Sequence, residues 1–203
     1  MNSPRSSRIS LIATTMLLAV LCMSPIVSAQ EGTPEAIVPR PDDCEVEPRE
    51  LPLFAEIAAT PIPTAPEPTP AASPLPEGVP AEDVVVEAIS GTVVESIACR
   101  NAGDLLRAYA LMSDRMLIWL FGDEELIPGE VQALLDDRQR VSKPERLAVI
   151  SVSDVTMLPD GRVSAVVVTE NPDHIFRDQL VFVDNGERWV IDEVVAEQVT
   201  PRP

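Results

Sequence analysis

Aromatic side chains are scarce in this chain: Phe, Trp and Tyr together make up 3% of its 203 residues. Its core must therefore come mainly from Val, Ile and Leu. Histidine occurs once, at His174, and there is no CxxC pair or EF-hand loop. That leaves no credible metal site. The acidic run Asp42-Asp43-Cys44-Glu45 is a solvated surface patch before it is a weak calcium site. Basic residues are also few, with 15 Lys and Arg against 33 Asp and Glu, for a net charge of −18. Such a charge repels phosphate backbones and anionic lipid surfaces, so no nucleic acid partner is expected. GxSxG, P-loop and GxGxxG motifs are absent. Serine-hydrolase, nucleotide and dinucleotide chemistry thus lack support, and no cofactor is implied.

No apolar run reaches the ~20 residues of a comfortable membrane span. The longest, over 9–23, follows the positive residues Arg5 and Arg8 and precedes Val27-Ser28-Ala29. Positive start, short apolar stretch and small-residue cleavage pattern predict a signal peptide over 1–29, cleaved after Ala29. The mature protein is then secreted or otherwise extracytoplasmic, with no stable membrane insertion. Retention of the segment as an anchor is the weaker alternative, because Thr14, Thr15, Ser24 and Pro25 interrupt it. Lipidation at Cys22 is disfavoured by the bulky Leu21 before it. Cleavage removes Arg5 and Arg8, leaving 13 basic and 33 acidic residues, a net charge of −20. It also removes Cys22, leaving Cys44 and Cys99. An even pair in an oxidising compartment predicts a disulfide, against the alternative of two free or differently paired thiols.

Proline is abundant in one place. Of 21 prolines, 13 lie between Pro34 and Pro80. The segment 60–80, rich in Pro, Thr and Ala, cannot build a core and favours extended polyproline II. It reads as a disordered, exposed linker. Before it, residues 30–59 form an acidic segment holding Cys44. There Leu51, Leu53, Phe54 and Ile57 are spaced for one or two helical turns docked on the main domain.

The foldable domain is expected over 81–198, with a disordered tail at 199–203. Val85, Ile89, Val93 and Ile97 recur every four residues, which predicts an amphipathic helix over 82–101. Gly103 and Asp104 mark its stop and a new cap. A short helix follows through Leu105, Leu106, Tyr109 and Ala110. Ser113 caps a third, with Met116, Leu117, Trp119, Leu120 and Phe121, and a fourth helical piece is expected over 129–137. The pattern then changes to strands. Runs over 147–158, 162–170, 174–184 and 187–197 are separated by turns at Pro159-Asp160-Gly161, Asn171-Pro172-Asp173 and Asn185-Gly186. Helices first and four antiparallel strands after them predict an α+β domain.

Three stretches carry a family resemblance: Cys99-Arg100-Asn101-Ala102-Gly103-Asp104, Asp160-Gly161-Arg162-Val163, and Gly186-Glu187-Arg188-Trp189-Val190-Ile191-Asp192-Glu193. Over about 81–196 the chain resembles the nuclear transport factor 2-like superfamily, including its SnoaL-like, cystatin-like α+β cones. The resemblance implies a curved sheet wrapped around a long helix, with an apolar pocket between them. Members include dehydratases, isomerases and cyclases alongside proteins of no known chemistry, so the fold alone selects no function. The enzymes among them carry a His/Asp or Tyr/Asp pair in the pocket, and no such motif stands here.

Residues with chemical potential are few. His174, beside a turn, reads as a solvated residue, with a general base paired to Asp178 or Asp173 as the sharper alternative. Asp104 reads as a helix cap and Tyr109 as a half-buried core ring. In a catalytic reading they become proton acceptor and oxyanion donor. Trp119 and Trp189 are expected to fill core. Arg177 and Asp192 are expected to form a cross-strand ion pair or to line a pocket mouth. The ligand-pocket candidates are thus Tyr109, Trp119, Arg177 and Asp192. The leading expectation is a secreted, non-catalytic domain binding a small apolar ligand or a protein partner. The alternatives are a SnoaL-like isomerase or hydrolyase and a structural cell-envelope interaction domain, the latter forming a homodimer.

Overall fold

The computed structural model describes residues 36–58, 60, 75–121 and 141–202. The expected signal peptide, most of the Pro-rich linker and the helical piece at 129–137 lie outside them. What is described is α+β, as the order of patterns implies.

The β-branched runs after Pro144 form β2 (Ala148–Met157), β3 (Val163–Glu170), β4 (His174–Asp184) and β5 (Trp189–Pro201). They pair antiparallel in chain order. Their turns are closed by short polar side chains. Asp160 Oδ1 accepts from the Arg162 N–H, and Asn171 Oδ1 accepts from the N–H groups of Asp173 and His174. Asn185 Oδ1 likewise takes the N–H groups of Glu187 and Arg188, while Gly186 supplies the positive φ of 90° the last turn requires.

Two strand boundaries differ from expectation. A fifth strand, β1 (Val79–Pro80), lies on the outer edge of β2, with Val79 opposite Met157 and Pro80 opposite Thr156. The end of the presumed linker is therefore sheet, and its proline sits on an edge, where a missing N–H is tolerated. Gly78 is needed there, since a Cβ would lie 2.4 Å from the Met157 carbonyl oxygen. At the far end β5 runs to Pro201, opposite His174, and the Arg202 N–H donates to the Asp173 carbonyl. The expected loose tail is thus largely strand, because the turn at 171–173 gives it a partner.

Four α-helices lie among the described residues. α1 (Leu51–Ala58) puts Phe54 and Ile57 into the core. The long α2 (Asp83–Ala102) ends at Gly103, whose φ of 71° is left-handed. It buries Ile89 and Val93 as the four-residue spacing predicts, together with the polar Thr92, Ser96 and Asn101. α3 (Leu105–Ala110) is capped by Asp104, whose Oδ1 accepts from the Arg107 N–H. α4 (Asp114–Phe121) is capped by Ser113, whose Oγ accepts from the Met116 N–H.

The N-terminal arm is part of the domain, held at several points. Ile37 bridges Val149 through two backbone hydrogen bonds of 2.8 and 2.7 Å. Cys44 and Cys99 form a disulfide. Arg49 donates to the Tyr109 and Met112 carbonyls and pairs with Asp114 at 2.7 Å, covering the open end of α3. Asn101, only 1% exposed, donates to the carbonyls of Pro39 and Leu147 and accepts the Leu147 N–H.

Two predictions follow from this clasp. The disulfide closes a separation of 55 residues, so replacing both Cys44 and Cys99 by Ala should lower unfolding free energy by about 4 kcal/mol in urea titrations. Asn101→Ala strands buried backbone groups at Pro39 and Leu147 and should cost about 2–4 kcal/mol by the same measurement.

Candidate functional site

The inward face of the sheet is built in rows across β3, β4 and β5. Val163, Phe182 and Ile191 form one row, and Ala165, Leu180 and Val194 the next. The third row is Val167, Asp178 and Glu197, and the fourth Thr169, Phe176 and Val199. Two carboxylates therefore stand opposite each other on an otherwise uncharged face.

The placement of Glu197 depends on two irregularities in β5. Pairing with β4 slips between Val181 and Phe182 and again between Gln179 and Leu180. Each slip leaves one extra residue on β5, Asp192 and then Val195. Ile191, Val194 and Glu197 are three apart in sequence yet share one face. Strict alternation would have put Val194 opposite to both.

Between this face, α2 and α4 lies a cavity of about 370 Å³, within the range of small-molecule sites. Val93, Met112, Met116, Leu180 and Val194 contribute apolar wall, and Trp119 stands beside them, 58% exposed. Polar groups reach it from four elements: Arg100 from α2, Thr169 from β3, Asp178 from β4 and Glu197 from β5.

Asp178 is the anomaly of the site. Its Oδ1 is shielded from solvent and has no hydrogen-bond partner among the described residues. Leaving a buried acceptor unmatched costs about 1–3 kcal/mol, and more for a charged group. Burial pushes the Asp178 pKa above the usual carboxylate range. The neighbouring Glu197 pushes the same way, and Arg100 opposes them. The side chain is tolerated at a cost to the empty domain, and it faces a cavity.

Of the four pocket candidates, Trp119 lines this cavity, although it was expected to fill core. Its place on the exposed side of α4 explains the difference. Tyr109 does not line it. Its ring stacks on Phe54 at 5.2 Å and meets Phe121 edge-on at 5.3 Å, and burial raises its pKa. Arg177 falls on the opposite, exposed face of β4, across from Val168 and Gln198. The expected Arg177–Asp192 pair does not form. Asp192, carried inward by the first β5 bulge, accepts from Ser113 Oγ at 2.7 Å and lies near Arg115 and Arg162. It lines a second hollow beyond Trp119, with Arg115, Ile118 and Glu193.

Asp104, Tyr109 and His174 do not converge. Asp104 caps α3 and pairs with Arg107 at 3.5 Å. His174 opens β4, its ring centroid 6.1 Å from that of Phe176, and is not part of the cavity wall. Trp189 is half-buried against the core, and its carbonyl accepts from Thr92 Oγ1. No group of acidic, His or Cys side chains among the described residues is arranged to hold a metal ion.

Asp178 entered the sequence reading only as a possible partner of His174, and Glu197 not at all. Asp178 shares the even parity of Phe176, Leu180 and Phe182, which is a usable signal. Glu197 carries none, because the two bulges reset its face. Compared with protein-family models, with curated proteins and with solved structures, the chain finds no match.

The raised pKa of Asp178 has a sign that can be tested. An acid whose folded pKa lies above its unfolded one supports stability while protonated, and that support is lost as pH rises through the folded pKa. In ligand-free protein, Asp178→Asn should therefore raise the melting temperature at pH 7. The gain should shrink as pH falls toward 4 in scanning fluorimetry.

Proposed function

We propose that this chain is an exported domain of the nuclear transport factor 2-like type that binds a small, largely apolar ligand and leaves it unchanged. The observation that carries the reading is the cavity itself, with an unmatched Asp178 oxygen on its wall. Apolar walls with a few convergent polar groups are the usual makeup of a small-molecule site. The Cys44–Cys99 disulfide accords with life in an oxidising compartment. None of the described helices is long and apolar enough to cross a membrane.

A second reading, in which Asp178 abstracts a proton from the ligand, draws on the same raised pKa. It needs a donor for the developing oxyanion, and Tyr109 is engaged in the aromatic cluster instead. The two readings part on the fate of the ligand. Binding predicts that it leaves with its mass and its exchangeable C–H protons unaltered.

Native mass spectrometry of the purified protein should reveal a bound molecule. Failing carry-over, members of an apolar compound library should raise the melting temperature, with stabilisation near 2.7 kcal/mol at a hundred times the Kd. A protein that carries nothing and shifts with no compound would reject the small-ligand reading.

A further inference from the structure

The cavity's charge distribution selects among apolar ligands, given the reading above that it is a ligand site. Charged groups reach the cavity from α2, β4 and β5: Arg100, Asp178 and Glu197. α4 adds Met116, Trp119 and Leu120, and β3 adds Val167 and Thr169, all uncharged. Asp178 and Glu197 are direct cross-strand partners. Arg100 is exposed and makes no ion pair with either of them. Glu197 is exposed like Arg100, so the two offset each other at the rim and the half-buried Asp178 leaves the wall net negative.

We propose that the ligand is an amphiphilic primary amine, its ammonium held between Asp178 and Glu197 and its apolar body lying along Val93, Met116, Leu180 and Val194. Three properties of the wall point there. The unmatched Asp178 oxygen needs a donor, which a carboxylate or a quaternary ammonium cannot supply. Paired carboxylates on adjacent strands destabilise each other until a cation sits beside them. A hydrogen bond to a charged partner is also stronger than one to a neutral hydroxyl, so an amine outcompetes an alcohol of equal length. Beyond the cavity, the net charge of −18 raises the local concentration of cations around the whole chain.

Isothermal titration of the full chain at pH 7 with decylamine, decanol, decanoate and decyltrimethylammonium tests the assignment. Decylamine should bind at least about tenfold more tightly than decanol. Asp178→Asn should remove most of that advantage, with a cooperative melting transition by circular dichroism showing that the variant is folded. Glu197→Gln should reduce it to a lesser degree. Lowering the pH from 7 to 4 should weaken decylamine and leave decanol unchanged, because Asp178, whose pKa burial raises, takes up a proton. Equal affinity for decylamine and decanol, or decylamine binding untouched by Asp178→Asn, overturns the amine assignment and leaves the cavity reading standing. Binding of none of the four compounds overturns both.

Discussion

Cys99 and Asn101 stand two residues apart at the end of α2, and they join segments that are remote in sequence. Cys99 holds the acidic arm through Cys44. Asn101 holds Pro39 of the same arm and Leu147 at the entry to the sheet. The residues at 101 and 141 also meet through backbone, where the Val141 N–H donates to the Asn101 carbonyl. A helix end normally leaves carbonyls to solvent. Here that end is buried and becomes the joint of the fold.

The clasp explains why a chain with so few aromatic residues can still form a defined core. Phe54, Tyr109 and Phe121 come from α1, α3 and α4 and touch one another at ring separations of 5.2–5.4 Å. Three of the seven aromatic side chains are thereby spent on one contact. They pack the arm against the helices where Val and Ile alone would leave gaps. Tyr109 is consumed by this role, which is why it is absent from the cavity that a catalytic reading assigned to it. The arm, which composition presents as an acidic leader before a linker, supplies core through Phe54 and Ile57.

Much of this architecture was legible in the sequence. The four-residue spacing in α2, the Gly103 stop, the caps at Asp104 and Ser113, and the hairpin turns each have a local physical cause that sequence alone exposes. The disulfide followed from counting cysteines. What was hidden depended on pairing. β1 exists because β2 has a free edge for Val79 and Pro80, and nothing in a Pro-rich stretch announces that. The face of Glu197 depends on two extra residues in β5, which become extra only relative to β4. The first of them, Asp192, is turned toward Ser113, Arg115 and Arg162, so the expected pairing with Arg177 had no geometry to realise it. A period of two is a sound guide along one strand, but a bulge inverts every inference beyond it.

The same bulges give the cavity its chemistry. A regular β5 would turn either Val194 or Glu197 to the outside, and the inner face would then lose either an apolar wall residue or its second carboxylate. With both turned inward, Asp178 gains a like-charged neighbour at the moment it loses water, and each effect raises its pKa. Selection for stability alone favours an uncharged side chain in a row shared with Val167. The acid is kept there at a cost to stability, with an unmatched oxygen on the cavity wall. The cavity wall thus joins apolar rows above Asp178 to a row that holds two carboxylates.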